Sequence, residues 1–366
     1  MRLGWVTNLA APYRRPIWEH LAHSVELTLF LLENRQRFAR GTRNRAHEWM
    51  SYEDAPFPVH EVPTLRWSLG ERQVYTPRSI GNLPGRGFDA LVLTGWESPA
   101  YWAAAVRGRQ AGARLVGFYE STLASHAFRK GPIVRAREFF FRQLDAVVVP
   151  GEASLKAVLA MGVEESKVFV GFNPVDVAGI HAAAGQARAK MNSVRSGQHR
   201  YLFIGQLIER KNVAALVKAL ELLPDSEGTL TIAGTGHLRG ELERLRDELG
   251  LRDRVTFIGA VPYERVAELL ADHETLVLPS TEEVWGLVIN EALAAGLHVV
   301  VSQRCGVADS VGDMKGVFLA DPESESIAAA MAESKSSWSG PIVQPEILEK
   351  TPEAFADVVL RAAVGA

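Results

Sequence analysis

The stretch ETLVLPSTEEVWGLVINEALAAGLHVVVSQ, residues 274–303, runs from an apolar segment through a polar turn into a helical pattern and out to a second apolar segment. Strand, turn, helix, strand is the unit from which parallel sheets are built. Gly286 relieves crowding at the start of the helix, where the backbone N–H groups from Val284 through Trp285 and Gly286 to Leu287 can face an anion. Glu291 follows within the helix and shares a face with Val288, Ala292 and Ala295. A carboxylate there is costly without partners. Two ribose hydroxyls would serve, each charge-assisted bond contributing roughly 1.5–3 kcal/mol. Glu283, in the turn itself, would stand beside a sugar or its phosphate. The competing reading leaves Glu283 as a solvated loop charge and has Glu291 held by an arginine of its own domain.

The same alternation of strand and helix extends outward in both directions. Toward the N-terminus of this stretch lie HRYLFIGQL, GTLTIAG and RVTFIGAV, each followed by a helical pattern. An earlier series, RLGWVTNL, VELTLFLL, ALVLTGW, RLVGFYE, AVVVPG and KVFVGFN, reads as the strands of a first unit. Its helices YWAAAVRGRQAGA and ASLKAVLAMG end at or beside glycine. Asn173-Pro174-Val175-Asp176 and the Ala/Gly-rich stretch after it mark a boundary. The reading is an α/β protein of two doubly wound, Rossmann-like domains facing across a cleft, residues 1–172 and 173–345. A capped C-terminal helix, with Pro352 in its first turn, lies in a tail 346–366 that would cross back to the first domain. The arginine-rich segment between Glu33 and Glu53 lacks periodicity and reads as a mobile loop.

Composition supports two domains: 366 residues with 47% apolar content can fill two cores. The single cysteine, Cys305, excludes an internal disulfide framework and a Cys-rich zinc site. The N-terminal apolar run is too short for a signal-peptide core, and no stretch approaches ~18 apolar residues. A cytoplasmic protein, soluble or peripheral at the inner face of a membrane, is expected. Residues 1–170 carry 22 Lys and Arg against 16 Asp and Glu, a surplus of six positive charges, so a net −3 for the chain leaves the remainder at −9. A basic first half suits an anionic partner, although ordinary solvated charge in an arginine-rich protein accounts for the same count.

In open α/β sheets ligands sit at the carboxyl ends of strands, so the turns there carry the candidate chemistry. YLFIG opens into GQLIERKN, which places Gly205, Gln206, Arg210 and Lys211 where a diphosphate can be gripped. Asn212 would serve as a polar cap of the next helix. Gly234-Thr235-Gly236 resembles a dinucleotide fingerprint only superficially. Gly240 falls one position late for G-x-G-x-x-G and no acidic residue ends the next strand, which argues against NAD. The glycines Gly234 and Gly236 would still let a nucleotide approach the backbone closely.

GQLIERKN, IAGTGHLR, VTFIGAV and PSTEEVWGLVINEALAAGLHVV, in that order and spacing, resemble the C-terminal domain of family 4 retaining glycosyltransferases of the GT-B fold. TNLAAPYRRPIWEHLA and DAVVVPGEASLKAVLAMGV look like the N-terminal domain of the same family. The resemblance implies that Glu283 and Glu291 match the family's Glu-x7-Glu pair, near the donor sugar and phosphate and on the ribose hydroxyls respectively. It also implies that Lys211 is the basic diphosphate contact. Family members usually carry arginine at Gln206 and glycine at Asn212. Their glycine-rich N-terminal loop is replaced here by Ala10-Ala11-Pro12-Tyr13-Arg14, and their frequent histidine after the fourth strand by Tyr119-Glu120-Ser121.

The activity implied is metal-independent transfer of a sugar, with retention, from a UDP- or GDP-type nucleotide diphospho-sugar to an acceptor hydroxyl. The catalytic candidates are Glu283, Lys211 and Glu120. On the acceptor side the candidates are Arg14 and His126, with Arg14 a surface charge, Glu120 a cap and His126 structural in the competing reading. In this family the leaving diphosphate takes the acceptor proton, and helix amides and Lys211 would stabilise the charge that develops on it. No cofactor, metal or nucleic acid is expected. Acceptors in keeping with the basic first half are an anionic lipid-linked glycan or a natural product, in polysaccharide, glycoconjugate or antibiotic biosynthesis. Arg and Ala richness suggests a GC-rich bacterial source. The stretch Phe128–Leu144 mixes Arg129, Lys130, Arg135, Arg137 and Arg142 with Phe139 to Phe141, which suits either a membrane surface or a face buried in the first domain. A sugar-nucleotide epimerase of the same fold and a non-catalytic nucleotide-binding domain are the alternatives.

Overall fold

The structure is a computed structural model and describes residues 1–33, 52, 54–69, 72–126, 128, 130–191, 198–224 and 228–365. Apart from Glu33 and Tyr52, the segment read as a mobile loop lies outside the described residues, as does Arg129. The chain divides into two compact units, Met1–Asn173 with Pro352–Ala366, and Pro174–Thr351.

The first unit is built on a parallel sheet in the order β3-β2-β1-β6-β7-β8-β9. Its strands are β1 Arg2–Thr7, β2 Glu26–Leu31, β3 Val59–Glu61, β6 Ala90–Leu93, β7 Arg114–Phe118, β8 Ala146–Val149 and β9 Val168–Val170. Central strands covered on both faces must be apolar throughout rather than alternating. Accordingly ALVL of β6 and AVVV of β8 are buried at every position. Trp5, Trp18 and Phe118 lie on one face and receive the helix Pro352–Val364, whose Phe355 ring centroid is 5.5 Å from that of Phe118. The tail helix therefore packs into the first unit, while the short helical turn Glu346–Glu349 stays with the second.

An antiparallel hairpin, β4 Thr64–Leu69 and β5 Arg72–Pro77, was not expected. Thr64 Oγ1 donates to Leu32 O at 2.8 Å, Arg66 Nη1 donates to the buried Glu33 carboxylate at 2.9 Å, and Ser98 Oγ accepts from Tyr75 N at 3.2 Å. Those bonds anchor the hairpin at the carboxyl ends of β2 and β6.

In the second unit the sheet order is β12-β11-β10-β13-β14-β15, parallel throughout. The strands are β10 Arg200–Ile204, β11 Thr229–Ala233, β12 Val255–Gly259, β13 Thr275–Leu278, β14 His298–Ser302 and β15 Val317–Ala320. Burial falls from complete in β13 and β14 to alternating in the edge strand β12 and partial in β15. β10 pairs with both β11 and β13, so the winding reverses between β10 and β13. That reversal opens a crevice at their carboxyl ends.

Candidate functional site

Two turns leave the switch point of the second unit, one after β10 and one after β13, and the backbone stitches them together: Thr281 N donates to Arg210 O at 2.9 Å. Asn212 closes the first turn at φ 56°, the one non-glycine residue with positive φ among those described. Asparagine tolerates this left-handed conformation better than most residues that carry a Cβ. Its side chain does not cap the following helix, contrary to the expectation. Instead Asn212 Nδ2 donates to Pro279 O at 3.1 Å and to Pro322 O at 2.7 Å, tying the β10 turn to the ends of β13 and β15.

This frame sets Lys211 against Glu283. The Lys211 ammonium donates to Glu283 Oε2, and Arg210 Nη1 lies 3.5 Å from Glu283 Oε1. Glu283 is not a solvated loop charge, since its side chain is 13% exposed. One half-buried carboxylate thus faces two cations. The segment after it runs beside residues 305–307: Glu283 O accepts from Gly306 N at 3.0 Å and Trp285 O from Val307 N at 3.1 Å. Cys305 in this ladder is buried, and burial first, then the Glu283 charge, pushes its thiol up to about 12, so it stays protonated.

Gly286 takes φ 104° immediately before the helix Leu287–Ala294. A Cβ at Gly286 would press on Leu278 Cδ2 at 2.9 Å, but it is the positive backbone angle that calls for glycine. Val284 and Leu287 flank the turn half-buried, and Trp285 is buried. Within the helix Glu291 is half-buried between the buried Ala292 and Ala295 and the half-buried Val288. Burial alone pushes its carboxyl up to about 7. No arginine of its own domain holds it; among the described residues its carboxylate has neither hydrogen bond nor ion pair. Tyr263, in the turn after β12, is near enough to feel it. Its phenol is pushed up to about 12 by burial, then by the charges of Glu291 and Asp176.

Gln206 is exposed beside this site. Gly234 and Gly236 serve the packing of the site's own turns. A Cβ at Gly234 would lie 1.7 Å from Gly205 O, and one at Gly236 2.1 Å from Leu207 O. The two glycines are needed because the turns after β10 and β11 pack backbone on backbone, with Leu207 N donating to Thr235 O at 2.9 Å.

In the first unit Arg14 is buried rather than a surface charge. Its guanidinium pairs with Glu120 Oε2 and lies 4.5 Å over the Phe118 ring. Asn173 Nδ2 donates to the other carboxylate oxygen at 2.9 Å, and Glu120 O accepts from Ser154 Oγ. Glu120 is therefore the centre of a bonded cluster, not a helix cap. His126 Nε2 is 2.6 Å from the Tyr119 hydroxyl, which fixes the ring against a buried phenol.

Comparisons with known proteins agree with both halves. Residues 10–173 match the profile of the glycosyl transferase 4-like domain, and residues 187–340 that of glycosyl transferases group 1. The chain belongs to the GT-B glycosyltransferases. HepE of Anabaena, solved in complex with UDP, has the same fold, with a TM-score of 0.70 at 18% identity over 100% of this chain and 95% of that one. Lipopolysaccharide glucosyltransferase WaaG of Escherichia coli K12 is 30% identical over 182 residues, 46% of this chain and 48% of that one. An uncharacterized glycosyltransferase of Methanocaldococcus jannaschii is 33% identical over 147 residues, 40% of this chain and 38% of that one. The matched segments thus span less than half of these curated relatives' length.

Sequence reasoning missed two further features of this glycosyltransferase. Asn173 entered only as a boundary marker beside Pro174, yet it holds Glu120. Arg137 was named only as one of the bases of Phe128–Leu144, yet within the helix Pro132–Arg142 it is set apart by being only 7% exposed. Its helical position offered the signal, because Arg137 lies on the same side as the buried Phe140 and Phe141 at spacings of three and four.

Proposed function

We propose that the chain transfers a hexosyl unit from a UDP- or GDP-type sugar to an acceptor hydroxyl, with retention and without a metal ion. One observation carries the reading: Lys211, Arg210 and Glu283 meet at the switch point, with an unpartnered Glu291 on the helix that follows. Two cations on one carboxylate leave a positive charge over, which suits a diphosphate. Ribose hydroxyls donating to Glu291 would satisfy a carboxylate that burial otherwise disfavours as an anion. HepE has been solved with UDP and with UDP-glucose, which supports a donor of that class.

Glu291 binds ribose in this reading, so it cannot also attack the anomeric carbon, and the pair Glu283/Glu291 is not a hydrolase couple. Lys211 and the amides at the start of Leu287–Ala294 stabilise charge on the departing phosphate. The leaving diphosphate takes the proton of the acceptor hydroxyl on the face where the bond breaks. The cations of Lys211 and Arg210 then do what a divalent ion would do elsewhere. A thermal-shift panel of nucleotide sugars, followed by turnover with and without a chelator, tests this. No stabilisation by any nucleotide diphospho-sugar would sink the donor assignment, and loss of turnover on chelation would sink metal independence. Turnover of donor alone to its epimer would favour the epimerase.

Peripheral contact with an anionic membrane belongs to the same proposal. Among the described residues no helix is long and apolar enough to cross a membrane. Leu123, Phe128, Ile133 and Phe139 of the first unit are exposed, with Lys130 and Arg135 near them in sequence. Sedimentation with anionic vesicles but not with zwitterionic ones is expected; equal behaviour with both removes the contact.

A further inference from the structure

Arg137 lines a cavity of about 440 Å³ in the first unit, together with Leu123, His126, Val134 and Glu138. Arg137 as a residue is only 7% exposed, its Nε is buried without a hydrogen-bond partner, and among the described residues no carboxylate pairs with it. The compensation in view is the ring of Trp96, 5.8 Å from the guanidinium carbon. A cation over an aromatic face recovers only part of what removal from water costs an ion.

The place of this cavity in the fold is informative. Leu123 and His126 belong to the loop leaving β7, while Ala157, Ala160 and Met161 lie on and just after the helix Glu152–Ala160, so the cavity runs along the groove between that helix and Pro132–Arg142 and opens toward the carboxyl edge at its Leu123–His126 end. That is the edge where open α/β sheets hold ligands. Of the two arginines buried in the first unit among the described residues, Arg14 is matched by Glu120 and Arg137 has no carboxylate partner. Guanidinium groups are suited to oxyanions because their planar fork meets two oxygens at once.

We propose that the Arg137 cavity is the subsite for an oxyanion, phosphate or carboxylate, carried by the acceptor. The assignment rests on the glycosyltransferase reading for the word acceptor, but not for the anion itself.

The test uses the full chain and two variants, Arg137→Met, which keeps the stem over Trp96, and Arg137→Lys, which keeps the charge. Inorganic phosphate and acetate are titrated first, with melting temperature as the readout. Saturable stabilisation of the wild type, abolished in Arg137→Met and partly kept in Arg137→Lys, is expected. Equal shifts in wild type and Arg137→Met overturn the anion site, whatever the protein's activity. Arg137→Met should itself melt no lower than wild type, since it removes an unpaired buried charge; a large loss would show a structural partner and also overturn it.

Acceptor panels of sugar phosphates, sugar acids and their neutral parents then assign the source. Arg137→Met should raise KM for the charged acceptors at least tenfold and leave the donor KM and kcat within twofold. Phosphate should compete with those acceptors. Stabilisation by phosphate without such competition would place a free anion there and overturn the acceptor assignment alone.

Discussion

Arg14 and Glu120 of the first unit are a matched, well-bonded pair beneath the carboxyl edge of their sheet. Lys211, Arg210 and Glu283 of the second are mismatched, two cations on one carboxylate, with Arg210 exposed. Both sheets share the core order 3-2-1-4-5-6 in sequence rank, the first adding a seventh strand at its far edge. The same topology therefore serves two electrostatic designs. Balanced charge under a sheet edge stabilises its unit, whereas a surplus cation at the switch point is available to a ligand. Substitutions in the two places should accordingly fail in different ways.

The largest effect is expected at Lys211. Lys211→Ala should lower kcat/KM by about 10²–10³, the range for losing one group that stabilises developing charge, with little change in melting temperature. Affinity for a nucleoside diphosphate should fall more than affinity for the nucleoside. Calorimetry showing equal losses for the two would mean that Lys211 does not touch the diphosphate.

Glu120→Gln breaks the comparison from the other side. It leaves the buried Arg14 guanidinium without its counter-charge, a loss of about 2 kcal/mol once the partial exposure of Glu120 is allowed for. The first unit's unfolding transition should move down by several degrees while nucleotide binding to the second is unchanged. An unaltered melt combined with a large loss of kcat would instead make Glu120 a group that touches substrate.

How far these sites were legible in the sequence follows from where their partners come from. The central strands could be read directly because double-sided burial demands continuous apolar runs, as in ALVL and HVVVS. β3 and β15 could not: VHE and VFLA are short edge segments with little buried surface to pattern them. The first strand of the hairpin β4–β5 did carry a signal, the exposed Leu65 and Trp67 alternating with the buried Thr64 and the bonded Arg66. It was overlooked because the parallel βαβ pattern has no place for it. Glu283 and Lys211 were visible individually, each in a turn after a strand. Their contact was not, since β10 and β13 become neighbours only when the sheet reverses direction. Arg14 was misread for a related reason: its burial comes from Phe118 and Glu120, more than a hundred positions away.

A smaller effect sharpens the reading of Glu291. Its carboxyl in the ligand-free protein is pushed up to about 7 by burial, and the ionised form, with acceptor oxygens only, takes hydroxyl donors far more strongly than the protonated one. Nucleotide affinity should therefore rise about tenfold from pH 6 to pH 8 and then level off. Folding stability should show the opposite sign. A carboxyl raised above its unfolded value binds more protons when folded, so its contribution is present at low pH and is lost as pH rises through 7. Glu291→Gln should remove both slopes and weaken the nucleotide several-fold at pH 8. A pH-independent affinity in the wild type would take ribose away from Glu291.

The smallest effect concerns Asn212, where conformation and bonding can be separated. Gly at this position adopts φ 56° without strain but loses the two bonds from Nδ2 to Pro279 and Pro322. Ala loses the same bonds and in addition carries a Cβ in the left-handed region, which costs about 1 kcal/mol more. Denaturant unfolding should place Asn212→Ala below Asn212→Gly by about that margin, with Asn212→Gly itself only slightly below wild type. Because the turn also carries Lys211, the Ala variant should weaken nucleoside diphosphate binding more than the Gly variant does. Equal stability of the two would show that the backbone relaxes out of the left-handed region, and Asn212 would then matter for its bonds to the β13 and β15 ends alone.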